Sequence, residues 1–259
     1  MKTTRHYLKL LIREEISSLR ESSGFGGGLA VFVRSVGSLK QATIYDADAL
    51  FSKIDGLEEL SRGGGMTPVI RAHLADNFVK GFIEVGPPRG MGHRSAGPCN
   101  GAWMVYRSAG PGYGKIVYGV GFALSPTGRL IPDRLDVSDS AKAGWDKQFT
   151  GGRGRLPLDD IDAHRDGGSI RPHPNHTDDP SDDCMVFKDL SYEDDGASYD
   201  NDQQLNYSYD AVGWEVAELE KMSQKHQDLM SQLKSGFADY LEGLIVGAGG
   251  VFFGKHIDS

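Results

Sequence analysis

The stretch from residue 101 to residue 149 limits the possible folds more than any other part of this chain. It begins with a short apolar and aromatic run, Ala102 to Tyr106, which is typical of a buried strand. The next segment, 108–114, is so rich in glycine and proline that it continues neither a helix nor a strand. Apolar residues then return at helical spacing, followed by Leu130 and Ile131 and by a second helical pattern. The stretch therefore predicts the order strand, glycine turn, helix, strand, helix.

The glycine turn is a candidate anion-binding site, although a Gly-x-Gly by itself also fits an ordinary turn. Apolar residues repeat at helical spacing directly after the turn, which places the glycines at a helix N-terminus. Free backbone N–H groups and the positive end of the helix dipole attract anions there, and glycines let a phosphate approach closely. The candidate cofactor-binding residues are Gly110, Gly112, Tyr113, Gly114 and Lys115.

The second half of the stretch resembles a known family. Ser138 predicts the N-cap of a helix, which then reads Ser138-x-x-Ala141-x-x-x-Trp145-x-Lys147. Together with the glycine turn, this order resembles the acyl-CoA-binding half of the GNAT acyltransferases. In that family the turn after the fourth strand holds the CoA pyrophosphate on backbone amides, and the helix after the fifth strand carries the pattern N-x-x-A-x-x-x-Y-x-K. The resemblance extends loosely over residues 29–149.

A narrower resemblance concerns the run from Leu130 to Asp146, LIPDRLDVSDSAKAGWD. This run is similar to GNAT-like proteins of tailed bacteriophages, and so are residues 182–184 and 205–209. The resemblance implies an α/β fold in which a GNAT-like mixed β-sheet is flanked by helices. It also implies a location in the host cytoplasm or in the virion.

The resemblance further implies transfer of an acyl group from acetyl-CoA to an amine. Acetyl-CoA is then the expected cofactor, bound on the amides of the glycine turn. The run 79–85 predicts a strand, and Glu84 near its end is the expected general base, acting directly or through a water. A carboxylate at a strand end is also often simply solvated. An amide of a strand would stabilise the oxyanion.

Two positions depart from the family pattern. Trp145 stands where the family often places the tyrosine that protonates the departing CoA thiolate, and an indole N–H does not titrate usefully. Ser108 and Ala109 stand where a basic residue commonly opens the glycine turn. The alternative hypothesis is a non-catalytic phage structural or assembly protein that uses a degenerate GNAT fold as a scaffold. In that case Trp145 is a core residue.

The composition narrows the classes of partner. A net charge of −8 argues against a general nucleic-acid binder, because neutralising phosphates requires a basic surface. Cys99 and Cys184 allow one disulfide but form no metal-binding pattern, so a reduced cytosolic setting is the default expectation. We expect no membrane span and no signal peptide. We also expect no metal site, although the acidic residues 178–183 are rich in oxygen ligands.

The sequence suggests four regions. Residues 1–24 hold an amphipathic helix that either packs on a protein or serves as a leader, and residues 25–150 form the α/β core. Residues 151–209 form an acidic, loop-rich segment that wraps the core, because 158–204 contain fourteen Asp and Glu against three Lys and Arg. Residues 210–259 form a long helix and an apolar tail.

The long C-terminal helix is expected over 211–245. Apolar residues recur there at alternating spacings of four and three, which is typical of a coiled-coil seam. His226 falls on this seam, where a tolerated polar residue is more common than a ligand. The tail, 243–254, is apolar but short for a bilayer. We expect the terminal helices to bind the chain itself or phage assembly proteins.

Overall fold

The computed structural model of the chain describes residues 28–62, 67–90, 95–134, 137–160, 178–185 and 203–256. The amphipathic helix predicted within residues 1–24 and most of the acidic segment lie outside the described residues. Within the described part, a seven-stranded mixed sheet is accompanied by seven α-helices. The α/β class predicted from the sequence is therefore confirmed.

The first half of the fold begins with a hairpin whose tight turn places Gly37 at a φ of 60°. Three helical segments follow the hairpin, over 47–51, 54–62 and 67–77. The Asp46 side chain caps the first helix by accepting from the backbone N–H of Ala49 at 2.9 Å. The elements are β1 (Leu29–Val36), β2 (Leu39–Asp46), α1 (Ala47–Phe51), α2 (Ile54–Arg62), α3 (Thr67–Asn77) and β3 (Val79–Gly86).

The second half contains the predicted order of strand, glycine turn, helix, strand and helix. As predicted, Ser138 caps the second of these helices, and its hydroxyl accepts from the backbone N–H of Ala141 at 3.4 Å. The first helix is buried along its middle, 116–122, which explains its almost continuous apolar sequence. The elements are β4 (Trp103–Ala109), α4 (Gly114–Leu124), β5 (Arg129–Ile131) and α5 (Asp139–Thr150).

The remaining elements extend the sheet and cover it. The buried Glu215 fixes the start of the first C-terminal helix, because it accepts from the backbone N–H of Val212 at 3.0 Å and pairs with Arg153 at 2.8 Å. The elements are β6 (Arg155–Pro157), β7 (Asp159–Asp160), β8 (Asp183–Cys184), β9 (Tyr207–Asp210), α6 (Trp214–Ser231) and α7 (Ser235–His256).

The strands of the main sheet lie in the order β1-β2-β3-β4-β5-β9-β6. Each neighbouring pair is antiparallel except β4 and β5, which run parallel. The last strand in the chain, β9, lies between β5 and β6. Because β4 and β5 are parallel, their carboxyl ends lie at the same edge of the sheet. The glycine turn follows one of these ends and the chain leading to α5 follows the other.

Alternation along the strands divides most of the core into two layers. In β3, Ile83 faces the side on which α4 and α5 pack, whereas Phe82 faces the side of α3 and α7. α6 runs past β1 and contributes Met222 to the first layer and Leu229 to the second. The sheet is thereby covered on both faces beside the glycine turn.

The prediction of one long helix over 211–245 is wrong. The chain forms α6 and α7 with a break at 232–234, and the apolar residues 243–254 continue α7 as a helix. The predicted seam is not one continuous contact face, since Val212 and Val216 are 53 % and 50 % exposed. The spacing of apolar residues instead reflects two successive helices that each pack on the sheet.

Among the described residues, α7 is long and apolar enough, at 22 residues, to cross a membrane by length and composition alone. The apolar run that begins at residue 243 is too short for a span, but the helix itself begins at Ser235. Here the helix packs against the sheet through its apolar side chains. The buried ones are Leu241, Leu244, Ile245, Ala248 and Phe252.

Cys99 and Cys184 form a disulfide, although the default expectation was a reduced pair. Their Cα atoms lie 4.7 Å apart, and both residues are fully buried in a small apolar cluster beside β4 and β5. The backbone N–H of Asn100 also donates to the carbonyl of Ser181 at 2.7 Å. The described part of the acidic segment is thus attached to the turn that precedes β4.

Candidate functional site

The glycine turn lies at the carboxyl end of β4 and leads directly into α4. Tyr113 is the N-cap of α4 and provides no side-chain hydrogen bond to the first helical turn. Gly112 has a φ of 77°, and nothing lies within 4 Å of the position that a Cβ would take there. The space beside Gly114 is open in the same way. The turn therefore presents backbone donors at a helix N-terminus with room for an anion.

Gly110 and Lys115 frame this turn. A Cβ on Gly110 would lie 2.5 Å from Cγ2 of Val117, so the absence of a side chain lets the turn pack on α4. Lys115 is exposed, and its Nζ lies 5.7 Å from the ring centroid of Trp214 at the start of α6. α6 thus reaches the edge of the candidate site, a contact that the sequence analysis did not predict.

β5 pairs only with the start of β4, and the glycine turn follows the other end of β4. The parallel register of the two strands consists of Trp103 with Leu130 and Met104 with Ile131. β4 then continues to Ala109, and no strand of the described chain pairs with this edge. Backbone N–H and C=O groups along a strand edge can bind an extended ligand that contains amides.

A β-bulge lies in the part of β4 that does not pair with β5. Arg107 pairs with Glu84, and Val105 pairs with Val85, so Tyr106 is the extra residue between them. Bulges bend a strand and redirect the side chain that they carry. No local pattern of residues predicts this irregularity, because a bulge depends on the register with β3.

Tyr106 lies near charged residues of β3 and of the segments that follow β3 and β5. Its hydroxyl donates to the carbonyl of Pro87 at 2.5 Å. Burial raises the pKa of Tyr106 to about 12; Arg89 opposes this shift, and the carboxylates of Asp133 and Glu84 add to it. Glu84 on β3 and Asp133 just beyond β5 therefore lie on either side of Tyr106. Neither Tyr106 nor Asp133 was a candidate in the sequence analysis.

Glu84 is buried, with 6 % of its surface exposed, and is not a solvated carboxylate at a strand end. Its Oε2 accepts from the side-chain amide of Gln41, and its Oε1 lies 3.8 Å from Nε of Arg107. Arg34 in turn donates to Gln41 at 2.7 Å, so a polar row crosses β1 to β4. The row lies on the α7 side, since Arg107 is 5.7 Å from the ring centroid of Phe253. Glu84 is thus held from both sides.

On the α4 side, three aromatic rings line the region where β4 and β5 diverge. The ring centroid of Trp145 lies 5.1 Å from that of Tyr118 and 5.4 Å from that of Tyr209. Trp145 is 1 % exposed and is therefore a core residue. The hydroxyl of Tyr118 hydrogen-bonds Ser108 of β4, and burial raises the pKa of Tyr118. These rings connect α4 and α5 to β9 beneath the site.

Arg134 lies shortly after β5 and is fully buried. Its Nε donates to the carbonyl of Pro132 at 3.2 Å, and its Nη2 donates to the carbonyl of Leu205. Its Nη1 is buried without a hydrogen-bond partner. Burial lowers the pKa of Arg134 to about 10, against the opposing influence of Asp133 and Tyr209. The sequence alone could not reveal that Arg134 is buried, because its burial arises from β9 folding back beside β5.

The predicted site residues form two neighbouring groups. Gly110 to Lys115 make the turn after β4, and Glu84 pairs with Arg107 two residues before β4 ends. The two groups share the β3–β4 part of the sheet, with Glu84 on the α7 side. Within the described residues, no group of three or more His, Cys, Asp or Glu is placed to hold a metal ion.

Comparison with known proteins gives no match. No protein-family model matches the sequence, no curated protein matches it at a significant level, and no solved structure matches the fold at a significant level. The function of this chain must therefore be inferred from its own residues and their geometry.

Proposed function

We propose that this chain is an acyl-CoA-dependent N-acyltransferase of GNAT type, which transfers an acyl group from acetyl-CoA to an amine. The observation that carries the proposal is the open glycine turn at the N-terminus of α4, directly beside the unpaired edge of β4. The element order supports it as well, because a strand, a glycine turn, a helix, a parallel strand and a further helix follow one another as in the acyl-CoA-binding half of that family.

The two ends of the site suit different parts of acetyl-CoA. The pyrophosphate would lie on the backbone amides of Gly112 and Gly114, since the N–H of Tyr113 already donates to the carbonyl of Gly110 at 2.8 Å. The exposed Lys115 would contribute a positive charge. The pantetheine arm contains amides and would extend along the free edge of β4. This arrangement directs the thioester towards the β-bulge at Tyr106.

The chemistry requires one proton acceptor and one carbonyl-stabilising donor. The amine nitrogen attacks the thioester carbonyl carbon, the C–S bond breaks, and sulfur leaves with the electron pair as the CoA thiolate, which takes a proton from solvent. Glu84, directly or through a water, accepts the proton that the amine loses. A backbone N–H of β4 beside the bulge stabilises the oxyanion. Gln41 and Arg107 hold Glu84 in position for this role.

Calorimetric titration of the full chain with acetyl-CoA tests the cofactor site. We expect binding in the micromolar range for the wild-type protein. The Gly112→Glu variant should lose this binding, because its side chain and charge would fill the anion position. Heat changes that are absent at millimolar acetyl-CoA, with no thermal stabilisation, would contradict the proposal.

A matched control separates loss of the site from backbone strain. Gly37 in the β1–β2 turn also has a positive φ, and the space beside it is also open. Gly37→Glu therefore introduces the same strain and the same charge on a turn remote from α4 in sequence and sheet position. We expect this variant to bind acetyl-CoA like the wild-type protein.

The packing of Trp145 favours a second candidate function, a non-catalytic phage structural or assembly protein that uses the fold as a scaffold. Trp145 is enclosed by Tyr118 and Tyr209, and its indole cannot protonate a thiolate as a tyrosine does. In this case acetyl-CoA would not bind, and the chain would bind itself or other assembly proteins. Sedimentation velocity of the pure protein over a range of concentrations would detect self-association.

A further inference from the structure

Arg134 is the one described side chain whose charge is fully enclosed without an ion pair in the described chain. It donates hydrogen bonds to two backbone carbonyls, those of Pro132 and Leu205. Nε and Nη2 make these contacts, which leaves Nη1 enclosed and without an acceptor. The group therefore retains an unused charged donor.

An enclosed guanidinium is energetically unfavourable, and the carboxylate of Asp133 stabilises its charge only in part. Removing a charge from water costs several kcal/mol, and two neutral carbonyls recover only part of that cost. A bidentate or charge-assisted hydrogen bond to a carboxylate or phosphate normally offsets this desolvation cost. The free energy that a bound anion would recover is therefore available for ligand binding.

The position of Arg134 connects it to the candidate site. β4 and β5 are parallel, so the segment after β5 lies at the same sheet edge as the glycine turn after β4. Nη2 of Arg134 donates to the carbonyl of Leu205, and the hydroxyl of Tyr209 donates to the preceding carbonyl, that of Gln204, at 2.6 Å. Tyr209 belongs to the aromatic cluster with Trp145. Arg134 thus lies on the β5 side of the place where β4 and β5 separate. It is on the face of the sheet that carries the rings of Trp145 and Tyr209.

A second polar atom nearby lacks a partner. Oδ1 of Asn206 is buried without a hydrogen bond, and Asn206 is 4 % exposed. Asn206 follows Leu205, whose carbonyl accepts from Arg134. Arg134 therefore has an unsatisfied charged donor, and Asn206 has an unsatisfied neutral acceptor. Arg134 also hydrogen-bonds the residue directly before Asn206.

We propose that Arg134 and Asn206 form a subsite for a carboxylate-bearing group of the substrate. The carboxylate accepts from Nη1 of Arg134, and an N–H of the same ligand donates to Oδ1 of Asn206. The subsite rests on the proposed acyl-transfer function for the identity of its ligand. The carboxylate belongs either to a dicarboxylic acyl group on CoA or to an acceptor amine of the amino-acid type.

Matched ligand pairs on the full-length wild-type chain test this subsite by calorimetry. Succinyl-CoA and butyryl-CoA have acyl groups of equal carbon number, and only the first ends in a carboxylate. L-Alanine and ethylamine, each titrated in the presence of CoA, differ in the same way. A charge-assisted hydrogen bond is worth about 1.5–3 kcal/mol, so the preferred pair should show at least about a 10-fold tighter binding of the carboxylate.

Two variants test whether Arg134 causes the preference for the ligand that carries a carboxylate. Arg134→Met should bring the two members of the preferred pair to within about twofold, because it removes the cation and keeps an unbranched side chain. Arg129→Met is the matched control, since Arg129 lies on β5 and its Nε already pairs with Asp210 at 2.8 Å. This variant should keep the preference. If Arg134→Met does not fold, Arg134→Lys tests the same point, because its ammonium cannot make a bidentate contact and should weaken the preference.

The outcomes separate the subsite from the proposed function. Equal binding within both ligand pairs would overturn the subsite, with an internal water as the partner of Arg134. If butyryl-CoA binds under those conditions, the acyl-transfer proposal still stands. If neither CoA thioester binds and the amine pair shows no preference, both proposals fail. A preference that persists in Arg134→Met would also overturn the assignment.

Discussion

The hydroxyl of Tyr45 lies 2.8 Å from Nδ1 of His226, and this contact joins β2 to α6 inside the core. Nε2 of His226 lies 3.1 Å from Oε1 of Glu242 on α7. Because an ionised carboxylate only accepts, the neutral imidazole donates from Nε2 to Glu242 and accepts from Tyr45 at Nδ1. His226, which the sequence placed on a coiled-coil seam, therefore connects three elements of one domain.

Stability is expected to decrease through His226 as the pH falls below neutrality. Burial lowers the pKa of His226, and the contact with Glu242 only partly opposes this shift. Below the unfolded-state pKa of about 6.5, the unfolded chain binds a proton that the folded imidazole does not bind. The free energy of unfolding therefore falls from this pH down towards the folded pKa.

Urea denaturation at a series of pH values measures this effect. The His226→Gln variant should show a flatter dependence than the wild-type protein across this range. Tyr45→Phe is the control, because it removes a hydrogen bond, at a cost of about 1 kcal/mol, but keeps the imidazole. Its pH dependence should persist. Identical slopes for wild type and His226→Gln would contradict the role of this residue.

The Trp145→Ala variant should lose about 3–5 kcal/mol of unfolding free energy, because it leaves a cavity between Tyr118 and Tyr209. Urea denaturation followed by far-UV circular dichroism measures the loss. Trp214→Ala is the comparison, since Trp214 is only half-buried at the start of α6 and should cost less. A Trp145→Ala variant as stable as Trp214→Ala would show that the aromatic cluster is not a core element.

Reduction of the Cys99–Cys184 disulfide should destabilise the protein. The bond joins residues that are 85 positions apart, and the chain-entropy model assigns such a loop roughly 4–5 kcal/mol. Guanidinium unfolding with and without a reductant measures the difference. The double variant Cys99→Ala and Cys184→Ala should not respond to the reductant. Two free thiols in the protein purified without reductant would contradict the bond.

If Glu84 is the general base, Glu84→Gln should reduce acyl transfer to a panel of amines by about 10²–10⁴-fold. The dissociation constant of acetyl-CoA should not change, because Glu84 lies on the α7 side, away from the glycine turn. Asp133→Asn is the matched carboxylate on the other side of Tyr106. Should Asp133→Asn abolish transfer while Glu84→Gln leaves it intact, the roles of the two carboxylates would be exchanged.

Local patterns determined much of the fold around the site. The glycine and proline content of 108–114 indicated a turn, which the structure limits to 110–113 because β4 continues to Ala109 and α4 begins at Gly114. The apolar spacing after the turn indicated a helix with its N-terminus there. The hydroxyl of Ser138 required only a neighbouring backbone N–H to cap α5. Each of these features depends on residues within one or two helical turns, so the order of residues was sufficient.

The long helix was mispredicted for the opposite reason. The apolar spacing across 211–245 is compatible with one straight seam, but packing on both layers of the sheet is satisfied only when the chain breaks at 232–234. Periodicity reports which side of a helix is apolar and not what that side contacts. The same limit explains why α7 begins earlier than its apolar tail suggested.

The sequence by itself determined that a strand, a glycine turn and a helix follow one another at 101–124, since these depend on local conformational preferences. Only the tertiary structure decided what surrounds that turn. Register with β3 placed the bulge at Tyr106, the return of β9 enclosed Arg134, and the row across four strands buried Glu84. Burial and pairing between distant segments set the charge and position of these side chains, and neither is encoded at a single place in the chain.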